Sequence, residues 1–234
     1  MNSTNTNGRI LWVFGDSWSI PWERAQAAGH KEYVDKHRPQ NMFADFLKDN
    51  LNIDKIDNRA YSGFNNYSIL ESIGQNISNF NSNDIVLIGW SEITRWRSVN
   101  KYIFQNPNKG KWQNLGLGLH HDLFPKPDLP QPKLILQETA SRDSELVCEE
   151  LNSWIKILKI ALPEQTLQWT AFQEQVRKWN LSIESPNFKL PRITDETGIT
   201  YRDSHTTEEG HRLLSEWMLK ILKKETQDRY YHKI

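Results

Sequence analysis

Ile10-Leu11-Trp12-Val13-Phe14-Gly15-Asp16-Ser17-Trp18-Ser19 is five apolar residues closed by a glycine and followed at once by polar ones. An unbroken apolar run of that length, ended by a turn residue, predicts a strand buried on both faces, as in a parallel sheet. Parallel strands need covering helices, and the rest of the chain alternates accordingly. Residues 41–51 carry Met42, Phe43, Phe46 and Leu47 at helical spacing, and 53–58 reads as a short second strand. A turn over 60–66 leads to a helix over 67–80, with Ile69, Leu70, Ile73 and Ile77 on one side. Ile85-Val86-Leu87-Ile88 marks the central strand, 84–89. A helix over 141–162 stops at Pro163, a strand follows over 166–172, and 173–200 is a loop with room for a short helix. The last helix, 206–224, buries Leu214, Trp217, Met218 and Ile221, with Thr206 and Glu209 spaced as a capping box. The expected fold is α/β: a three-layer α/β/α sandwich around a parallel, flavodoxin-like sheet.

A length of 234 residues suits one domain, 1–234. Five prolines between Asn100 and Pro132 mark a polar insertion near 100–132, too long for a plain connection. A loose tail is expected over 226–234. Lys+Arg and Asp+Glu are both 29, so no charge excess asks for nucleic acid or an anionic membrane as partner. The single cysteine, Cys148, excludes an internal disulfide, and its glutamate neighbours argue against a reactive thiolate. Residues 1–7 lack the apolar segment of a secretory signal, and no stretch reaches the ~18 apolar residues of a membrane span, so the cytoplasm is the default location. His120-His121-Asp122 is not expected to bind metal, because adjacent side chains diverge and no partner cluster is evident. Neither a cofactor nor a metal is expected.

The chemistry lies in segments that end strands. Gly15-Asp16-Ser17 puts a hydroxyl where open α/β sheets bind ligands, and Asp203-Ser204-His205 precedes the last helix. A serine needs a base to attack a carbonyl. His205 is the natural base, and Asp203 the candidate to orient its ring. An Asp two residues from a His must fold back tightly to reach it, so a backbone carbonyl is the competing partner.

These segments resemble the SGNH/GDSL hydrolase family. Gly15-Asp16-Ser17 is similar to its first block. Asn58-Arg59-Ala60-Tyr61-Ser62-Gly63 resembles the second, and Gly89-Trp90-Ser91-Glu92 stands at the third, with serine in place of asparagine. Asp203-Ser204-His205 is one residue shorter than the family's Asp-x-x-His. The resemblance implies an SGNH-type sheet and ester hydrolysis through an acyl-enzyme. It also implies an oxyanion hole from the N–H groups of Ser17 and Gly63 and a third donor, for which Ser91 and the Asn65 amide compete. For Asn65, a helix N-cap is the equal alternative.

Ten tryptophans are many for this length. Most are expected in the core. Trp18, Trp22, Trp90 and Trp96 stand beside the catalytic segments and suit sugar rings, so Trp18 and Trp90 are candidate substrate contacts, with Arg95 for a substrate anion. O-deacetylation of a carbohydrate is the first expectation for a small-molecule or carbohydrate ester substrate. Acyl transfer to a sugar hydroxyl would use the same acyl-enzyme. The competing class is a non-catalytic carbohydrate-binding or structural protein that keeps the fold. The sequence leaves the oligomeric state open.

Overall fold

The computed structural model describes residues 8–20, 39–61, 64–91, 95–98, 113–116, 144–193 and 206–231. Its main sheet has four parallel strands: β1 (Ile10–Gly15), β2 (Lys55–Asn58), β3 (Ile85–Gly89) and β6 (Gln165–Trp169), in the order β2-β1-β3-β6. Leu11 pairs with both Ile56 and Ile85, and Gly15 with Gly89, which in turn pairs with Trp169. Every residue of β3 is buried, which is why its sequence is apolar without alternation.

The two faces of the sheet carry separate cores. Trp12, Phe14, Val86 and Ile88 face α2 (Asn66–Asn76) and α3 (Ser144–Ala161), meeting Ile69, Ile73, Leu151 and Ile155. Leu11, Val13, Leu87 and Leu167 face α1 (Phe43–Leu51) and α5 (Glu208–Tyr231), meeting Phe43, Leu47, Leu214 and Met218. The period of two along each strand sends neighbouring residues to opposite cores, giving the expected α/β/α sandwich. The buried Cys148 belongs to the first core. Among the described residues no helix is long and apolar enough to cross a membrane.

Several boundaries differ from the sequence reading. The last strand of the sheet ends at Trp169 because Thr170 turns out of the ladder, its N–H donating to Glu184 O and its hydroxyl to Trp90 O. The short helix expected in 173–200 is α4 (Gln173–Trp179), closed by Asn180 at φ 46°. The last helix begins two residues late. Thr207, not Thr206, caps it, accepting the Gly210 N–H at 3.2 Å, and Glu209 pairs with Arg212 instead of closing a box. The same helix runs to Tyr231, into the tail expected to be loose, because no Gly or Pro follows Lys224 to stop it. Within the polar insertion, β5 (Gln113–Gly116) pairs antiparallel with β4 (Arg95–Ser98) in a second, two-stranded sheet. Its mixed polar sequence carried no strand signal.

Candidate active site

β2 and β3 lie on opposite sides of β1, so the connections leaving β1 and β3 diverge around a crevice at their carboxyl ends. Ser17 stands there, half-buried on a turn. Asp16 closes that turn twice. Its carbonyl accepts the Ser19 N–H at 3.0 Å, and its carboxylate Oδ1 accepts the Trp18 N–H at 3.0 Å. The turn folds back tightly over two paired glycines. A Cβ on Gly15 or Gly89 would lie 2.5 or 2.7 Å from Ser19 Oγ, so both positions need the missing side chain. Among the described residues nothing holds the Ser17 hydroxyl or its backbone N–H.

Neighbouring connections are laced to this turn. Ser91, just past β3, donates its hydroxyl to Asp16 Oδ2 at 2.9 Å and its N–H to Asn66 Oδ1 at 2.8 Å. Asn58 at the end of β2 donates to Ser19 O at 2.7 Å and accepts the Ala60 N–H at 2.9 Å. Asp16 is 2% exposed, and a buried carboxylate requires such donors. The one proton of Ser91 is thus engaged with Asp16 and is not available to an oxyanion in this arrangement. Asn65 behaves as a helix cap, its Oδ1 accepting the Ser68 N–H at 2.9 Å. Its Nδ2 is buried and has no partner among the described residues.

A small crevice beside this turn is lined by Asp16, Trp18, Ser19, Gly89, Trp90, Trp169, Ala171 and Phe172. Its space is small, about 160 Å³ including open solvent. Trp18 is half-buried. Phe172 meets it edge-on at 6.3 Å, and Arg192 Cζ sits 5.5 Å over its ring. Trp90 also lines the crevice; it is 2% exposed and bonds Gln168 Oε1 through its indole N–H at 3.1 Å.

The fully buried Thr206 leads into the last helix and is fastened to the segment 191–193. Arg192 bridges to it in antiparallel fashion. Pro191 O accepts the Thr206 hydroxyl at 2.6 Å and the Thr207 N–H at 3.0 Å. Arg192 therefore touches the residue after Ser17 with its side chain and the residue after His205 with its backbone. Asp203, His205, Gly63 and Trp22 themselves lie outside the described residues. Arg95 and Trp96 lie on β4, described by backbone alone. Among the described residues no three His, Cys, Asp or Glu side chains gather as metal ligands would.

No protein-family model and no curated protein matches the sequence. Among solved structures, the chain is similar to the psychrotrophic esterase EstA from Pseudoalteromonas sp., in a structure inhibited by monoethylphosphonate. The identity is 12%, the match covers 94% of this chain and 99% of that one, and the TM-score is 0.43. At those values the likeness transfers no residue role, and the chemistry rests on this chain's own groups.

Sequence reasoning singled out Ser17, Ser91 and Asn65, which the fold brings to the same end of the sheet. It missed the parts played by Asn66, Asn58 and Arg192. Asn66 opens a helix and Asn58 closes a strand, where polar residues are ordinary. Arg192 carries no motif, and only its stacking on Trp18 reveals it.

Proposed function

We propose that this chain is a serine hydrolase acting on esters. Ser17 Oγ attacks the ester carbonyl as His205 takes its proton, and the same imidazole returns the proton to the departing alcohol. Water then adds to the acyl-serine with His205 again as base, releasing the acid. Positioned general-base catalysis contributes about 10²–10⁴-fold. The growing oxyanion is held by the Ser17 and Gly63 N–H groups with the Asn65 amide, one such donor being worth about 10²–10³-fold. Asp203 orients the imidazole.

The observation that carries this reading is the placement of Ser17. It tops a clamped turn at the divergence of β1 and β3, and the segment stacked on its neighbour Trp18 also fastens Thr206. The half-buried Trp18 favours a sugar ring, hence O-deacetylation of a carbohydrate, with transfer to a sugar hydroxyl as the variant in which that group replaces water. One observation favours a non-catalytic carbohydrate-binding protein instead: Ser91, the family-position donor, is engaged with Asp16.

A fluorophosphonate probe decides between the classes. The wild-type chain is expected to be labelled and Ser17→Ala to stay unlabelled. An unlabelled wild type, or a labelled variant, overturns the nucleophile. Asp203→Asn should slow turnover, and an unchanged rate would assign the orienting role elsewhere.

A further inference from the structure

Arg192 is exposed and stands on a fastened segment, with Pro191 O holding Thr206 and Thr207 on one side. Its guanidinium lies over the indole of Trp18, the residue next to the nucleophile, at 5.5 Å. A guanidinium stacked on an aromatic face keeps its N–H edges free for hydrogen bonding, in a geometry that matches carboxylate and phosphate oxygens. Among the described residues no carboxylate pairs with it. Asp16, the acid of the Ser17 turn, is buried and already accepts from Trp18 and Ser91. The chain as a whole is neutral, so this cation does not belong to a general positive field.

We infer that Arg192 is a specificity-determining residue that binds an anionic group of the substrate. The preferred ester then carries a carboxylate, phosphate or sulfate on the portion that lies along Trp18. This rests on the esterase reading above. The contact with the indole favours this placement of the guanidinium before substrate arrives, so less side-chain freedom is lost when the anion docks. A rim cation also draws anions toward the crevice in a salt-dependent way.

The test compares two acetyl esters that differ by one charge, 4-acetoxybenzoate and phenyl acetate, on the wild type and on Arg192→Met, Arg192→Gln and Arg192→Lys. A charged hydrogen bond to an anion corresponds to about ten- to a hundredfold in affinity. The kcat/KM of Arg192→Met should therefore fall at least about tenfold more on 4-acetoxybenzoate than on phenyl acetate, mostly through KM. Arg192→Gln should repeat this, and Arg192→Lys should fall between. Added salt should narrow the wild-type preference and leave that of Arg192→Met unmoved. Equal losses on both esters would make Arg192 a fastener of the 191–193 segment and overturn the assignment, as would no loss on either.

Should neither ester show turnover that depends on Ser17, the esterase reading fails by itself. Binding then decides the role of Arg192. Titration of 4-hydroxybenzoate into wild type and Arg192→Met should give about tenfold weaker binding to the variant, and equal binding or none to either overturns it.

Discussion

The two ends of the main sheet each bury a hydrogen-bonded aspartate, Asp84 and Asp16, but differ in the donors left over around it. At the amino ends of the strands, Asp84 is 1% exposed and saturated: it accepts the N–H groups of Ile10 and Asn81 and the Trp12 indole N–H, each at 3.0 Å. Arg9 beside it donates to Asn83 O, Leu51 O and the Gln165 side chain, tying three connections together. At the carboxyl ends, Ser19 Oγ, Asn65 Nδ2 and Trp169 Nε1 are buried with no partner among the described residues. A buried donor left unpaired costs about 1–3 kcal/mol, so a fold carries several together only where something else supplies the contacts. The saturated end ties the sheet's connections together, and the end with unpaired donors is the one that carries Ser17.

The largest effect should come from breaking the saturated end. Asp84→Ala leaves three donors without their acceptor, and urea unfolding should show a loss of about 3 kcal/mol or more. A loss below about 1 kcal/mol would erase the contrast between the ends. Ser91→Ala comes next. It removes a charge-assisted hydrogen bond from the buried Asp16, worth about 1.5–3 kcal/mol, and should lower turnover as the Ser17 turn loosens. Unchanged turnover would show that the turn holds its shape without β3.

Gly210→Ala probes the approach to His205. A Cβ there would sit 1.6 Å from Thr206 Oγ1 and 3.2 Å from Pro191 O. Overpacking of this kind costs about 1–3 kcal/mol. Turnover should fall by a larger factor than that destabilisation alone explains, because Thr206 is displaced directly after His205, the proposed base. Thermal unfolding read beside ester hydrolysis separates the two.

Ser19→Ala should go the other way. It deletes a hydroxyl that has no partner among the described residues, so stability should hold or rise by up to about 1 kcal/mol. A clear loss would reveal a partner for Ser19 and weaken the contrast. The smallest effect is at the exposed start of α5. The Arg212 hydrogen bond holds the Glu209 carboxyl below its ordinary value. A depressed carboxylate adds stability above its unfolded value and loses it as pH falls through the folded one. Melting curves of the wild type and Glu209→Gln between roughly pH 6 and pH 3 should differ slightly at the upper end and converge at the lower.

The layers were legible in the sequence because burial on both faces writes continuous apolar runs, as in Val86-Leu87-Ile88, and burial on one face writes the stripe of Leu214 and Met218. The β4–β5 pair was not legible, since Gln113-Asn114-Leu115-Gly116 has neither an apolar run nor an apolar/polar alternation. The capping of α5 went to Thr207 because Thr206 was drawn to Pro191 O, a partner fifteen residues away. Trp90, expected to line a pocket, does line the crevice, and its indole N–H bonds Gln168, a partner that no local pattern announces.

The sequence by itself determined that a serine follows the first strand, that a histidine precedes the last helix, and that the sheet between them is parallel. Those facts follow from local composition and period. Only the tertiary structure decided what those segments touch: that Asp16 is held by Ser91 and Asn66 supports Ser91, and that Arg192 links Trp18 to Thr206. Each of these is a contact between residues far apart in the chain, set by which strand ends lie side by side, and no local pattern records it.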